Sequence, residues 1–391
     1  MRVTRRSFIA RGAGTALAGS ALAGSFDAVA AAGRPDTSGA DAHRVEMLRA
    51  SGAGMRHPPV VTPNGWTLPF RRSGAWKEFH LVAEPVAREL APGLVAHLSG
   101  YNGQSPGPTI ECIEGDRLRI VVSNALAEPT TIAWHGLPVP HGMSGLGQAI
   151  APRQSSLFAF EMRQSGTFLY RPQWNDRAQA AQGLVGAIVV HPRDAAQHRV
   201  DRDFLLLANS HALEAPPEAP RIGTPTWTLN GRVAPGIDAL AVRAGDHVRI
   251  RAANPAASPL ALHMHGHAFA VTGTGGGWVP DAARWPETAI ELPAGGLRML
   301  EFTAAREGDW PLHFLPSQAA ADAAAGSMTT LIKVRADLAA DDHRDPGPYI
   351  SPGGDRARAV PVPPHDAPRA RAHAPRGRHV EVKAVSPRRR A

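Results

Sequence analysis

A chain of 391 residues can bury two ordinary cores, and its 39 glycines and 36 prolines favour short strands and turns over long helices. The formal net charge of +8 is concentrated in the first 30 residues and beyond residue 340, leaving a neutral body. That distribution argues against a nucleic-acid partner for the folded part. A single cysteine, Cys112, excludes an intramolecular disulfide framework.

At the N-terminus, Thr4-Arg5-Arg6-Ser7-Phe8-Ile9 precedes an Ala/Gly/Leu stretch that ends at Ala28-Val29-Ala30. Twin arginines, a weakly apolar run and an Ala-x-Ala site read as a twin-arginine export signal over 1–30. The mature protein is therefore expected in the periplasm or outside the cell. No later segment is apolar for long enough to span a bilayer, so no transmembrane anchor is expected. Residues 31–60 read as a flexible arm. Cys112 falls in Thr109-Ile110-Glu111-Cys112-Ile113, a predicted strand, as a buried and inert thiol.

Two stretches 130 residues apart then carry one pattern. Gly115-Asp116-Arg117-Leu118-Arg119-Ile120, Asn124 and Ala133-Trp134-His135-Gly136 recur as Gly245-Asp246-His247-Val248-Arg249-Ile250, Asn254 and His263-Met264-His265-Gly266. The register holds without a gap, and Ala133 stands where the second copy has His263. Residues at i and i+2 of a strand share a face, so His-x-His presents two imidazoles to one metal ion. The repeat continues in Gly166-Thr167-Phe168-Leu169-Tyr170 and Gly308-Asp309-Trp310-Pro311-Leu312-His313, each followed by a β-branched strand. Short strands repeated once predict two tandem β-sandwiches, over 61–195 and 196–338. The Asp-x-x-Arg of each copy (Asp116 with Arg119, Asp246 with Arg249) is expected to shape a strand entry. Trp278 and Trp285 are expected to pack rather than contact substrate. Residues 339–391, rich in Pro and Arg, read as a disordered tail.

The segments Pro106-Gly107-Pro108-Thr109, Thr131-Ile132-Ala133-Trp134-His135-Gly136, Gly166-Thr167-Phe168-Leu169-Tyr170, His263-Met264-His265-Gly266-His267-Ala268-Phe269 and Gly308-Asp309-Trp310-Pro311-Leu312-His313 resemble the signature blocks of bacterial two-domain multicopper oxidases. The resemblance spans roughly residues 60–336. It implies an all-β fold of two tandem cupredoxin-like Greek-key sandwiches, copper as cofactor, and a homotrimer. The family oxidises substrate at a blue copper and reduces dioxygen at a trinuclear cluster held by four His-x-His pairs. Carried over residue by residue, the pairs fall on Ala133 and His135, Arg171 and Gln173, His263 and His265, and His313 and Leu315. The blue-site cysteine falls on Phe314, its histidines on Leu260 and Ala319, and its axial methionine on Ala324.

The resemblance therefore implies a degenerate member, with His135, His263, His265 and His313 as residual copper positions and at most one ion bound. No catalytic residue is assigned. His267 is not a ligand even in complete members, and His141, His191, His198 and His211 lie outside the motifs and are expected on the surface or in loops. Three functions stay open. One is a non-catalytic binding or scaffold protein with a protein or small-molecule partner. The others are a copper-dependent oxidoreductase and a copper-sequestering protein using His263, His265 and His313.

Overall fold

The alternation of apolar and polar residues resolves into four stacked β-sheets. The computed structural model describes residues 57–173, 176–214, 225–316, 328–338 and 380–384. The expected signal, most of the flexible arm and most of the tail lie outside these residues.

In the first sandwich, a seven-stranded sheet is built around Trp76–Ala91, Leu94–Tyr101, Arg117–Asn124 and Ser155–Glu161. It faces a four-stranded sheet in the order Ile110–Ile113, Gly186–His191, Gly166–Arg171, Ala133–His135. Between them Leu118, Ile120, Val122, Phe168, Tyr170, Ile188 and Val190 form one core. In the second sandwich, an eight-stranded sheet contains Arg202–His211, His247–Asn254, Gly296–Thr303 and Phe269–Thr274. It faces a five-stranded sheet in the order Leu240–Arg243, Thr329–Arg335, Gly308–Pro316, Leu260–Met264, Ala289–Leu292. Their core includes Val248, Ile250, Leu262, Phe302, Leu312 and Ile332. Each such buried aliphatic side chain contributes about 1.5–3 kcal/mol relative to exposure. The all-β, cupredoxin-like expectation therefore holds.

The sequence repeat is a structural repeat. Gly115 and Gly245 turn the chain with φ of 92° and 93°, in the left-handed region that glycine enters without steric cost. The following Asp closes each turn: Asp116 Oδ2 accepts the Ile113 N–H at 2.7 Å, and Asp246 Oδ2 accepts that of Arg243 at 2.9 Å. A cation on the parallel neighbouring strand meets each carboxylate, Lys77 on Asp116 and Arg202 on Asp246. Asn124 and Asn254 use their amides alike, donating to Ile150 and Leu292 carbonyls and accepting the Leu126 and Ala256 N–H. The arginines of the Asp-x-x-Arg motif do not join the aspartates. Arg119 reaches Glu78 and lies over Trp76, whereas Arg249 pairs with Asp203 and Glu301.

A third cluster joins the sandwiches. Leu169, Ala187 and Val189 of the four-stranded sheet, with Val185 just before its strand Gly186–His191, pack on Leu205, Leu207, Ala253, Leu297 and Met299 of the eight-stranded sheet. Both faces of each of these two inner sheets are thus covered. Alternate positions of His247–Asn254 place Val248 and Ile250 in the sandwich core and Arg249 and Arg251 between the sandwiches, all 0–1% exposed. The buried arginines are tied to Asp203, Glu301 and, in the first sandwich, Thr167.

Short strands cross over. Val60–Val61 adds to the edge of the second sandwich's sheet, and Leu213–Glu214 to the first's. The expectation of a wholly disordered tail does not extend to Val380–Ala384, which lies parallel to Leu94–Tyr101 in the first sandwich. Its Val-Glu-Val-Lys-Ala alternation suits a strand. No helix among the described residues is long and apolar enough to cross a membrane.

Candidate metal centre

Strand Leu260–Met264 lies between Ala289–Leu292 and Gly308–Pro316, with His263 directly opposite His313. Leu260, Leu262 and Met264 enter the core, so His263 projects to the other, outer face of its sheet. Leu312 and Phe314 do the same for His313. Just past the strand, before the Gly266 turn at φ 73°, His265 brings its ring within 4.6 Å of His263 and 5.0 Å of His313, edge to face in both cases. The Nδ1 of His313 shares a hydrogen bond of 2.9 Å with the Thr329 hydroxyl. Burial, then the neighbouring His265 and His263, lower the His313 pKa and favour neutral imidazole.

His135 is placed elsewhere. It ends the edge strand Ala133–His135 of the four-stranded sheet, opposite Leu169, and is exposed. The whole eight-stranded sheet separates that layer from the five-stranded one, and sheets stack about 10 Å apart. Among the described residues no ring contact joins His135 to His263, His265 or His313. Burial, and then the positive charge of Arg171, lower the His135 pKa.

Residues other than histidine, cysteine or methionine occupy the other positions that the resemblance maps to copper ligands. Ala133 pairs with Arg171 in the register that pairs His263 with His313. Gln173 is exposed and donates its backbone N–H to the Thr131 hydroxyl at 2.7 Å. Leu315 is exposed, whereas Phe314 and Leu260 are buried in the apolar core. Ala319 and Ala324 lie outside the described residues.

Other histidines correct the expectation of surface or loop positions. His191 is buried at the end of strand Gly186–His191, 2.7 Å from Glu111. His211, fully buried, ends strand Arg202–His211 with Nδ1 on the Ala181 carbonyl and Nε2 on the Thr228 hydroxyl. Both strands lie where the sandwiches meet, a burial that no single-strand pattern announces. His198 lies in a loop as expected and stacks flat on Trp278 at 3.8 Å, while His141 is exposed in a short turn. Trp278 packs on Arg249 as well, whereas Trp285 is 39% exposed. His267 sits against Phe302 and Trp310.

Two multicopper oxidase models match residues 85–195 and 214–318, one on each sandwich. The chain belongs to the multicopper oxidase family. Copper resistance protein A of Escherichia coli is 31% identical over 154 residues, covering 38% of this chain and 25% of that protein. The multicopper oxidase MmcO of Mycobacterium tuberculosis is 24% identical over 315 residues, 70% of this chain and 57% of that protein. The matched part spans about a quarter of the copper resistance protein and of similar curated relatives. Among solved structures, a multi-copper oxidase from Pseudomonas thermotolerans is 26% identical with a TM-score of 0.56, covering 71% of this chain and 68% of that one. The blue copper oxidase of Nitrosomonas europaea shares the fold at 23% identity and a TM-score of 0.57, covering 66% and 85%.

The family's copper set does not fit the donors present in this multicopper oxidase relative. Phe314 and Leu260 have no side-chain donor atom, and their side chains fill the core instead. Arg171 carries a fixed positive charge at a position that the resemblance maps to a ligand, opposing a cation. Cys112 is fully buried in the first sandwich, with its thiol pushed far up by that burial. Among the described residues no group of three or more His, Cys, Asp or Glu is arranged to hold a metal ion.

Proposed function

We propose that this multicopper oxidase relative is an exported, non-catalytic binding or scaffold protein. One observation carries the reading: Phe314 and Leu260 stand as core residues at the positions of the blue-copper thiolate and first imidazole. Without a thiolate the first electron has no entry route, and with Arg171 facing Ala133 the first sandwich supplies only His135 to a cluster. The partner is a protein or a small molecule.

A second reading, a protein that sequesters one copper, is favoured by the contiguity of His263, His265 and His313. Three imidazoles suit copper, and a modest rotation of exposed His265 would turn its nitrogens toward the other two. Copper loading of the purified mature protein, with metal per chain and oxygen uptake measured together, separates the readings. The scaffold reading expects no tightly held copper and no oxygen uptake. One retained copper without uptake would replace it with the sequestering protein, and three or more coppers with uptake would make the chain an oxidoreductase. Export is tested by fractionating cells carrying the native chain and Arg5→Lys/Arg6→Lys, the latter expected to remain inside.

A further inference from the structure

We infer that residues 57–61 form an acid-released clasp between the two sandwiches, with His57 as the group that takes up the proton. Val60–Val61 runs parallel to Asp203 and Phe204 at the edge of the eight-stranded sheet, and Val60 is buried in the cluster that joins the sandwiches. From the same segment His57 reaches the first sandwich. Its Nε2 meets the Pro192 carbonyl at 2.8 Å, and its ring lies nearly flat on that of His191, 4.5 Å between centroids at 18°. Glu111, on strand Ile110–Ile113, ties these contacts together. Its Oε1 lies 2.7 Å from His191 Nε2 and accepts the Val60 N–H at 3.3 Å.

The chemistry of the stack sets its response to pH. A carbonyl only accepts, so Nε2 of docked His57 carries its hydrogen and Nδ1 is the atom left to take a proton. That proton would put a positive charge face to face with the His191 ring, whose own Nδ1 is buried without a hydrogen-bond partner among the described residues. Glu111 is already turned to His191 and Val60. Of the other charges near His57, Arg249 opposes the proton and Asp203 favours it, and these two are paired with each other. Burial, then His191, outweigh the Pro192 carbonyl and lower the His57 pKa from 6.5 to about 4.

Once the segment leaves, the ring stands in water and titrates near its ordinary value. Docking is therefore complete above pH 6.5 and weakens as pH falls from there toward 4, by at most about tenfold per pH unit. Solvent around the half-buried ring makes the fall shallower than that limit. Release uncovers the backbone edge of strand Arg202–His211 at Asp203 and Phe204, and one face of the His191 ring. The clasp is independent of whether the chain holds copper.

Hydrogen exchange of the full chain, read by mass spectrometry at stepped pH from about 7.5 to about 4.5 and corrected for the intrinsic exchange rate, tests the clasp. Peptides covering residues 57–62 should lose protection severalfold per pH unit below 6.5, ahead of the core strand Arg117–Asn124. His57→Phe keeps an aromatic ring on His191 without a titrating nitrogen, and its protection over 57–62 should stay level across the same range. The proposal is overturned if protection of 57–62 in the native chain is level with pH, falls in step with that core strand, or falls equally in His57→Phe. Should His57→Phe lack this protection at every pH, titration of the His57 ring in the native chain, followed by NMR, decides. A midpoint below 6.5 supports the clasp, and one at or above 6.5 overturns it.

Discussion

Arg251 and Asp203 meet through two parallel hydrogen bonds, Nε to Oδ1 and Nη2 to Oδ2, each 2.7 Å, with both side chains 0% exposed between the sandwiches. Arg249 adds a contact of 3.1 Å to the same carboxylate, and Arg251 donates to Thr167 of the first sandwich at 2.6 Å. Burial alone would raise the Asp203 pKa, but Arg251 and then Arg249 outweigh it and hold the carboxyl below its ordinary value. Removing the charge in Asp203→Asn leaves the Arg251 guanidinium buried without a counter-charge, whereas Arg249 keeps Glu301. Denaturant unfolding should show a loss of about 3–5 kcal/mol. The same unfolding curves should show much of it recovered when Arg251→Met accompanies Asp203→Leu. Because the folded pKa is depressed, the native contribution is complete above the unfolded value near 3.9 and fades as pH falls through the folded one.

A second acid-sensitive point is His211. Burial lowers its pKa from 6.5 to about 4, although the Ala181 hydrogen bond opposes the shift. With Nδ1–H on that carbonyl, Nε2 accepts from Thr228, so the native ring is neutral. The unfolded chain takes up a proton below pH 6.5 that the native chain refuses until about pH 4. Stability should therefore fall across that interval as pH drops. His211→Gln should flatten the dependence by up to about 1.4 kcal/mol per pH unit, read from urea midpoints at stepped pH.

The pairing of Ala133 with Arg171 in the register of His263 with His313 allows a restoration. Ala133→His with Arg171→His would set two imidazoles opposite each other beside His135 and remove the opposing charge. Copper affinity of this double variant should rise at least about tenfold over the native chain, ~1.4 kcal/mol. Competition with a chelator measures it, and Ala133→His alone should give little.

Val380–Ala384 covers the long strand Leu94–Tyr101 of the first sandwich. Deleting residues 379–391 should uncover a row of backbone donors and acceptors, an invitation to pair with another chain. Light scattering across a concentration series should show the truncated chain associating further than the full chain does.

Sequence reading reached the sandwiches because they rest on local regularities. Leu118, Ile120 and Val122 alternate cleanly, and Gly115 and Gly245 mark the same turn in both copies. It also placed His263, His265 and His313 in adjoining motifs. It did not separate His135 from them, since that separation follows from which sheet faces which. The burial of His191, His211, Arg249 and Arg251 escaped for the same reason: their strands have two covered faces, and the second cover comes from the other sandwich. Val380–Ala384 was obscured by the Pro/Arg-rich residues around it.

The central claim is that this family member has lost blue-copper chemistry, and the visible spectrum of the copper-loaded protein tests it most directly. With Phe314 and Leu260 in the core and the single cysteine, Cys112, sealed in the other sandwich, no thiolate can reach a copper. The account predicts no intense thiolate-to-copper charge-transfer band after loading under reducing and then oxidising conditions. An intense band that disappears in Cys112→Ser would contradict it.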